Sequence, residues 1–233
     1  YKVTGVQTCA LPIFSSAGDG NDGNWSVSWG NGSELGWSAS RLNGDEDSGI
    51  SSDHAYTVAV NLHGSTQTVN GVEFIGTTAS SGTNWALTAG FFSSVANANS
   101  TTVSGEIGNM LTDGFKYNGD PQKIKLTGLT DGQAYVFSLY GQAWGGERTC
   151  ELSCSDLSGS ITVNQDQYNG QVTDGILVEC TYVAIGTEVE FSIDPLSSHT
   201  WHLYAFSNRA SDFSPQLASV QIDSLWKDRK STR

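Results

Sequence analysis

Short stretches in which apolar and polar residues alternate, separated by turn dipeptides, constrain the fold of this chain most strongly. Tyr56, Val58, Val60 and Leu62 occupy every second position, which is the pattern of a strand with one buried face. Asn-Gly and Asp-Gly turns separate several of the further strand candidates, which are residues 69–74, 85–87, 122–126, 135–140, 159–163, 176–183, 189–193 and 201–206. Strands and helices do not alternate, so the sequence predicts an all-β fold, an antiparallel β-sandwich, rather than a parallel α/β sheet.

One short helix at most is compatible with this pattern. Residues 104–111 are the helical candidate, with Ser104 as the expected cap and Ile107, Met110 and Leu111 on one face. The glycines within this segment predict that the helix is short.

The two ends of the chain are related to each other at the nucleotide level. Residues 8–13 can be encoded as ACGTGTGCTCTTCCGATC, and the reverse complement of this string encodes residues 228–233. Residues 3–13 resemble the translation of a short-read sequencing adapter, so we expect residues 1–13 and 228–233 to be non-native. The start lacks the basic segment and the following apolar run of about 7 to 15 residues that mark a signal peptide. We therefore expect the native protein to extend in both directions.

Composition divides the rest of the chain into a module and two flanks. Residues 14–37 are rich in Gly, Asn, Asp and Ser, which is typical of a linker or of the last loop of an upstream module. Residues 38–210 carry the strand pattern, and residues 211–227 are predicted to link to a downstream module. No run of about 18 apolar residues occurs, so the sequence predicts no membrane span.

The charge of the chain excludes two classes of partner. The formal net charge is −13, with 11 Lys and Arg against 24 Asp and Glu. The adapter-like ends contribute Lys2, Arg229, Lys230 and Arg233 but only one acid, Asp228, so the interior is more acidic still. Such a chain lacks the basic surface that binds nucleic acid or an anionic membrane.

Three cysteines remain once Cys9, in the adapter-like start, is set aside. Four residues of straight strand, at about 3.3 Å each, would separate Cys150 from Cys154 by ~13 Å, whereas a disulfide requires Cα atoms within ~7 Å. Either residues 151–153 form a turn and Cys150 bonds to Cys154, or Cys180 bonds to one of the two. A zinc site would require two further ligands that the sequence does not show.

Two acidic segments, residues 19–24 and 43–49, resemble calcium-binding loops in composition. Neither has the D-x-[DN]-x-[DN]-G spacing followed by a distal glutamate. Asp45 and Asp47 are the candidate ligands of a structural calcium ion, and the alternative is a solvated acidic turn. No other cofactor is predicted.

Residues 126–135 form a second recognisable motif, in which a leucine and a glycine turn precede Tyr135 at the start of a strand. This motif resembles the tyrosine corner of fibronectin type III domains, where the tyrosine hydroxyl ties the turn backbone to the sheet. About 80 residues of strand pattern follow it, which is too many for a type III domain.

A longer resemblance covers residues 38–210. The segments that carry it, in order, are residues 47–52, 70–74, 126–140, 144–148, 163–167 and 202–209. They resemble a repeated jelly-roll module of large surface proteins of environmental bacteria, often found with PEP-CTERM sorting tails. The resemblance implies a galactose-binding-like or carbohydrate-binding-like sandwich, secreted or on the cell surface and flanked by other modules. It implies no reaction, and the cysteines depart from the module's usual pattern.

Glycan binding is the function that these features favour. Trp85 and Trp144 lie in polar or Gly-rich segments that suit loops, where exposed rings stack on the apolar faces of sugars. Glu147 and Arg148 follow Trp144 closely, so all four residues are candidate ligand contacts; alternatively, Trp144 is a core or corner residue, like Trp201 and Tyr135, and Arg148 pairs with Asp166 or another acid.

Two alternatives to glycan binding remain open. One is a structural spacer or adhesive unit without a ligand. The other is a fragment of a polysaccharide-acting enzyme, which the sequence favours less because no catalytic spacing occurs. His199 and His202, three residues apart in a predicted strand, would face opposite sides and could not share a metal, so they are interpreted as surface or edge histidines.

Overall fold

A computed structural model describes residues 26–29, 33–144, 146–168, 173–196 and 200–211. One α-helix, α1 (Gly105–Asp113), and one short 3₁₀ helix, Asp45–Asp47, occur among these residues. The strands are β1 (Ser26–Trp29), β2 (Ser33–Leu42), β3 (Tyr56–Leu62), β4 (Gln67–Val69), β5 (Val72–Thr77), β6 (Ser81–Gly82), β7 (Trp85–Ala89), β8 (Ser93–Ala96), β9 (Gly114–Tyr117), β10 (Gln122–Thr127), β11 (Ala134–Gln142), β12 (Thr149–Cys154), β13 (Ser160–Asn164), β14 (Gly175–Val183), β15 (Glu188–Pro195) and β16 (Ala205–Ala210).

Two sheets form the sandwich. The larger has the order β1-β2-β14-β11-β16-β3-β5-β4, and the smaller has the order β13-β12-β15-β10-β7-β6. Their inner faces meet in one apolar cluster, where the rings of Phe137 from β11 and Phe191 from β15 stack at 3.9 Å between centroids. The predicted all-β sandwich is confirmed, and its pairings are antiparallel except for the parallel pair β3–β5.

A third layer covers the outer face of the larger sheet. It contains α1 and the antiparallel pair β8–β9, and its apolar side chains form a second buried cluster with Tyr140, Leu177 and Tyr204 from the sheet side. The middle strand β11 is buried along its whole length, because apolar layers lie on both of its faces. This third layer supports the candidate site described below.

Helix α1 begins in a different way from the one predicted. Its apolar face is the expected one, with Ile107, Met110 and Leu111 buried. Ser104 occupies the cap position, but its side chain makes no capping hydrogen bond. Instead the Asp45 carboxylate accepts the backbone N–H groups of Glu106 and Ile107, at 3.1 and 2.9 Å, and so satisfies two donors that the first turn leaves free.

The tyrosine corner is confirmed, and two strand predictions are corrected. The backbone N–H of Thr130 donates to the hydroxyl of Tyr135 at 2.9 Å. Residues 69–74 are not one strand, because Asn70 and Gly71 have φ values of 48° and 83° and form the turn of the β4–β5 hairpin. The predicted strand 201–206 begins only at Ala205.

Glutamine side chains replace sheet pairing at Trp201 and His202. Gln122 accepts the N–H of Trp201 at 2.7 Å and donates to its carbonyl at 3.0 Å. Gln165 makes the same two bonds to His202, at 3.1 and 2.8 Å. The backbone of this segment is therefore satisfied without a neighbouring strand.

The sheet extends further towards the start of the chain than the predicted module. Strand β2 begins at Ser33 and pairs with β14 from Gly36 to Leu42, so residues 33–37 belong to the sandwich rather than to a linker. The predictions for residues 1–13, 14–25, 212–227 and 228–233 lie outside the described residues. Within the described part, no helix is both long and apolar enough to cross a membrane.

Candidate functional site

The loop that joins β11 to β12 holds three of the four predicted ligand contacts. A neighbouring turn fixes this loop: the Asp166 carboxylate accepts the backbone N–H groups of Trp144, at 3.0 Å, and Gly146. The side-chain oxygen of Asn164 accepts the N–H of Arg148 at 3.0 Å. These bonds define the position of the Trp144 ring independently of any ligand.

Trp144 lies at the edge of a group of packed rings, which we call the aromatic cluster: Phe115, Tyr117, Trp144, His202 and Tyr204. The imidazole of His202 stacks on Phe115 with ring centroids 4.2 Å apart and an interplanar angle of 15°. Trp144 packs edge-on against both rings, at 4.9 Å from Phe115 and 5.4 Å from His202. Trp144 and Tyr117 are half-buried, whereas the other three are buried, so the cluster presents aromatic surface over a rigid base.

Arg148 and Glu147 add polar groups beside the Trp144 ring. Glu147 is exposed, and its carboxylate accepts the hydroxyl of Thr149 at 2.8 Å. Arg148 is half-buried, and burial lowers the pKa of its guanidinium although the nearby Asp166 opposes this shift. The ion pairs within 4.0 Å among the described residues do not include Arg148, so the predicted alternative, an ion pair with Asp166, is not formed.

Two buried nitrogen atoms near this surface lack a hydrogen-bond partner among the described residues. They are Nε of Arg148 and Nδ1 of His202. Only 3% of His202 is exposed, which corrects its interpretation as a surface or edge histidine; His199 lies outside the described residues. Burial, with a smaller contribution from the positive charge of Arg148, lowers the pKa of His202 to about 3, so its imidazole is neutral near pH 7.

The buried imidazole predicts a pH-dependent stability. Between pH 6.5 and about pH 3 an unfolded chain protonates this histidine, whereas the native state does not, so the free energy of unfolding falls as the pH falls. The variant His202→Phe keeps a ring on Phe115 but cannot take up the proton. Between pH 7 and pH 4, we expect the free energy of unfolding to fall by at least ~1 kcal/mol more for wild type than for this variant. Urea unfolding at each pH measures the difference. His54→Phe, outside the cluster, is the control, and parallel curves for wild type and His202→Phe would contradict this expectation.

Trp85, the fourth predicted contact, is a core residue, and this prediction is wrong. It is 6% exposed and packs edge-on against Phe206 at 5.6 Å between centroids. A Cβ atom added at Gly82 of the adjoining strand β6 would lie only 2.5 Å from the indole nitrogen. Trp85 therefore fills the space between the sheets and presents no face to a ligand.

The predicted calcium ligands bind backbone instead. Asp45 accepts the N–H groups at the start of α1, as described above, and Asp47 accepts the backbone N–H groups of Asn43 and Gly44 at 3.0 Å each. Burial raises the pKa of Asp47, but hydrogen bonds from Gly44 and Asn43 together outweigh this effect and lower the pKa below its ordinary value. No group of three or more potential metal ligands occurs within the described ranges, and structural calcium stays a prediction.

Comparison with known proteins supports the fold and no more. No protein-family profile and no curated protein matches the chain. A β-glucuronidase of Bacteroides uniformis is similar in structure with a TM-score of 0.53 at 11% identity, over 66% of this chain and 18% of the enzyme. The plant receptor-like kinase ANX2 is similar with a TM-score of 0.52 at 9% identity, over 68% of this chain and 48% of the receptor structure. The chain thus spans less than half of either structure.

The sequence did not indicate most of the aromatic cluster. Phe115 and Tyr117 lie on one face of β9, two residues apart, and this alternation was the available signal for a strand that the sequence analysis did not predict. Asp166 was considered only as an ion-pair partner, yet its carboxylate positions the loop. His202 stands in an apolar segment between Trp201 and Leu203, which is a signal for burial.

Proposed function

We propose that this chain is a non-catalytic, extracellular carbohydrate-binding module whose ligand contacts the aromatic cluster at Trp144. The observation that carries the proposal is the half-buried indole, held on Phe115 and His202 by a loop that Asp166 fixes. Such a ring can stack on the apolar C–H face of a sugar without rearrangement, so little conformational entropy is lost on binding.

Polar groups beside the ring suit sugar hydroxyls. The exposed carboxylate of Glu147 can accept hydrogen bonds from hydroxyl groups, and the guanidinium of Arg148 can donate to them. Among the described residues, the guanidinium of Arg148 makes one hydrogen bond, from Nη1 to the Thr200 hydroxyl at 3.5 Å, and its other donors are proposed to serve the ligand. Part of a β-glucuronidase shares this fold. The name of that protein marks it as carbohydrate-active, which is consistent with this ligand class.

The carboxylates of the site favour binding over hydrolysis. Glycoside hydrolysis uses two carboxyl groups about 5 to 10 Å apart that remain free to act on the substrate. Asp166, whose side chain contacts this loop, is buried and already accepts two backbone N–H groups. Its carboxylate is engaged in holding the loop, which supports a structural rather than a catalytic role for this residue.

The proposed location is the cell surface or the surrounding medium. An acidic surface with net charge −13 favours solubility and disfavours nucleic acid as a partner. An exposed platform for polysaccharide is useful only where polysaccharide occurs, and this supports an extracellular site of action.

Native gels that contain xyloglucan, glucomannan, xylan, pectic galactan or alginate test this function. We expect at least one of these polysaccharides to retard the folded chain, with no new reducing ends after prolonged incubation. Retardation by none of them, with the fold intact by circular dichroism, would support the spacer alternative. Release of reducing ends that persists after repurification would support an enzyme.

A further inference from the structure

The two sheets place Cys154 and Cys180 opposite each other across the core. In the smaller sheet, Cys154 at the end of β12 pairs with Phe191 of β15. In the larger sheet, Cys180 of β14 pairs with Phe137 of β11. Since the rings of Phe137 and Phe191 stack on each other at 3.9 Å, the neighbouring cysteines face each other as well.

The surroundings of the two thiols agree with this register. The thiol of Cys154 is near enough to contribute to the raised pKa of Cys180, and both residues belong to the same buried cluster. In the structure these cysteines, and Cys150, carry free thiols.

Cys150 is excluded from this contact by the strand that carries it. Strand β12 runs without a break from Thr149 to Cys154 and pairs with β13 and β15 on its two sides. The turn at residues 151–153 that a Cys150–Cys154 bond requires is therefore not formed, and the rise of a strand keeps these residues ~13 Å apart. Among the alternatives, the structure supports the pairing of Cys180 with Cys154, because these two residues lie opposite each other across the core.

We propose that Cys154 and Cys180 form a disulfide that joins the two sheets of the sandwich, while Cys150 stays a thiol. The oxidant is a disulfide of a small thiol or of a thiol oxidoreductase. One cysteine thiolate attacks this disulfide, releases one thiol and forms a mixed disulfide; the second thiolate then displaces the other thiol. One Sγ–Sγ bond forms, two S–H protons are lost, and the oxidant is reduced to two thiols.

The timing of this oxidation follows from burial. Burial raises the pKa of Cys180 well above its ordinary value, and it raises the pKa of Cys150 to about 12. The reactive species is the thiolate, so the folded, reduced chain should oxidise slowly. We expect the bond to form while the chain folds, before the sheets close over both sulfurs.

Refolding of the full chain from the reduced, denatured state in a glutathione redox buffer tests the proposal independently of any carbohydrate. After alkylation of free thiols under denaturing conditions, cleavage after glutamate at Glu151 and Glu179 separates Cys150, Cys154 and Cys180 from one another. We expect a linked pair of peptides that carry Cys154 and Cys180, with Cys150 alkylated. Cys150→Ala should keep the link, and Cys154→Ala or Cys180→Ala should abolish it.

Thermal unfolding gives a second measurement. Reduction of the linked chain is expected to lower its melting temperature by roughly 5–15 °C, and Cys150→Ala should show the same drop on reduction. Alkylation of both Cys154 and Cys180 after oxidative refolding, or a link from either of them to Cys150 or Cys9, would overturn the proposal.

Discussion

Replacing Trp85 with alanine is expected to lower the free energy of unfolding by about 3–5 kcal/mol, the usual cost of removing a large buried aromatic side chain. The indole is enclosed by Phe206 on one side and strand β6 on another. The loss leaves a cavity between two packed sheets, and the surrounding side chains and strands can relax into it only partly. Urea unfolding, followed by circular dichroism, measures the change.

Trp144→Ala is the matched control for this prediction. The same atoms are removed, but this indole is half-buried at the edge of the cluster and does not lie between the sheets. We expect the free energy of unfolding to fall by no more than about half as much as it does for Trp85→Ala, since less apolar surface leaves water on folding. Equal losses for the two variants would contradict the assignment of one tryptophan to the core and the other to the surface.

Phe191→Ala is expected to destabilise the chain by a similar amount, about 3–5 kcal/mol. This ring lies at the centre of the sandwich, where it stacks on Phe137 and makes edge contacts with Trp37 at 6.1 Å and Tyr182 at 5.5 Å. Its removal forfeits ring contacts with three strands of the opposite sheet, and such aromatic pairs exceed simple burial in strength. The same urea titration measures the loss.

Phe92→Ala is the control for Phe191→Ala. The Phe92 side chain is 78% exposed, so its truncation should change the free energy of unfolding by less than ~0.5 kcal/mol. A loss of less than ~1 kcal/mol for Phe191→Ala would show that the two sheets do not meet through this ring, and the position of the core would be wrong.

Period-two patterns predicted most of the sandwich because the strands of each sheet bury one face against the other sheet. Strand β10 illustrates this: Gln122, Ile124 and Leu126 are buried while the residues between them are not. The pattern failed where another layer or a side chain intervened. Strand β11 is buried on both faces, and glutamine side chains hold Trp201 and His202 in place of a strand.

The candidate site was only partly predictable, because its members meet through tertiary packing. Trp85 and Trp144 stand in similar polar or Gly-rich surroundings in the sequence, and only the position of each strand distinguishes them. Phe115 and His202, which support Trp144, lie far from it along the chain. The loop stays a prediction as a ligand contact, and Asp166, the residue that fixes it, was considered in the sequence only as an ion-pair partner.

Binding of a soluble polysaccharide by Trp144→Ala is the most direct test of the proposed site. With a polysaccharide that retards wild type, titration calorimetry should give a Kd at least tenfold higher for this variant, since a stacked ring at the centre of a site contributes about 1.4 kcal/mol or more. Phe92→Ala, which removes an exposed aromatic ring outside the cluster, should bind like wild type. An unchanged Kd for folded Trp144→Ala, or a comparable loss for Phe92→Ala, would contradict a binding site at the aromatic cluster.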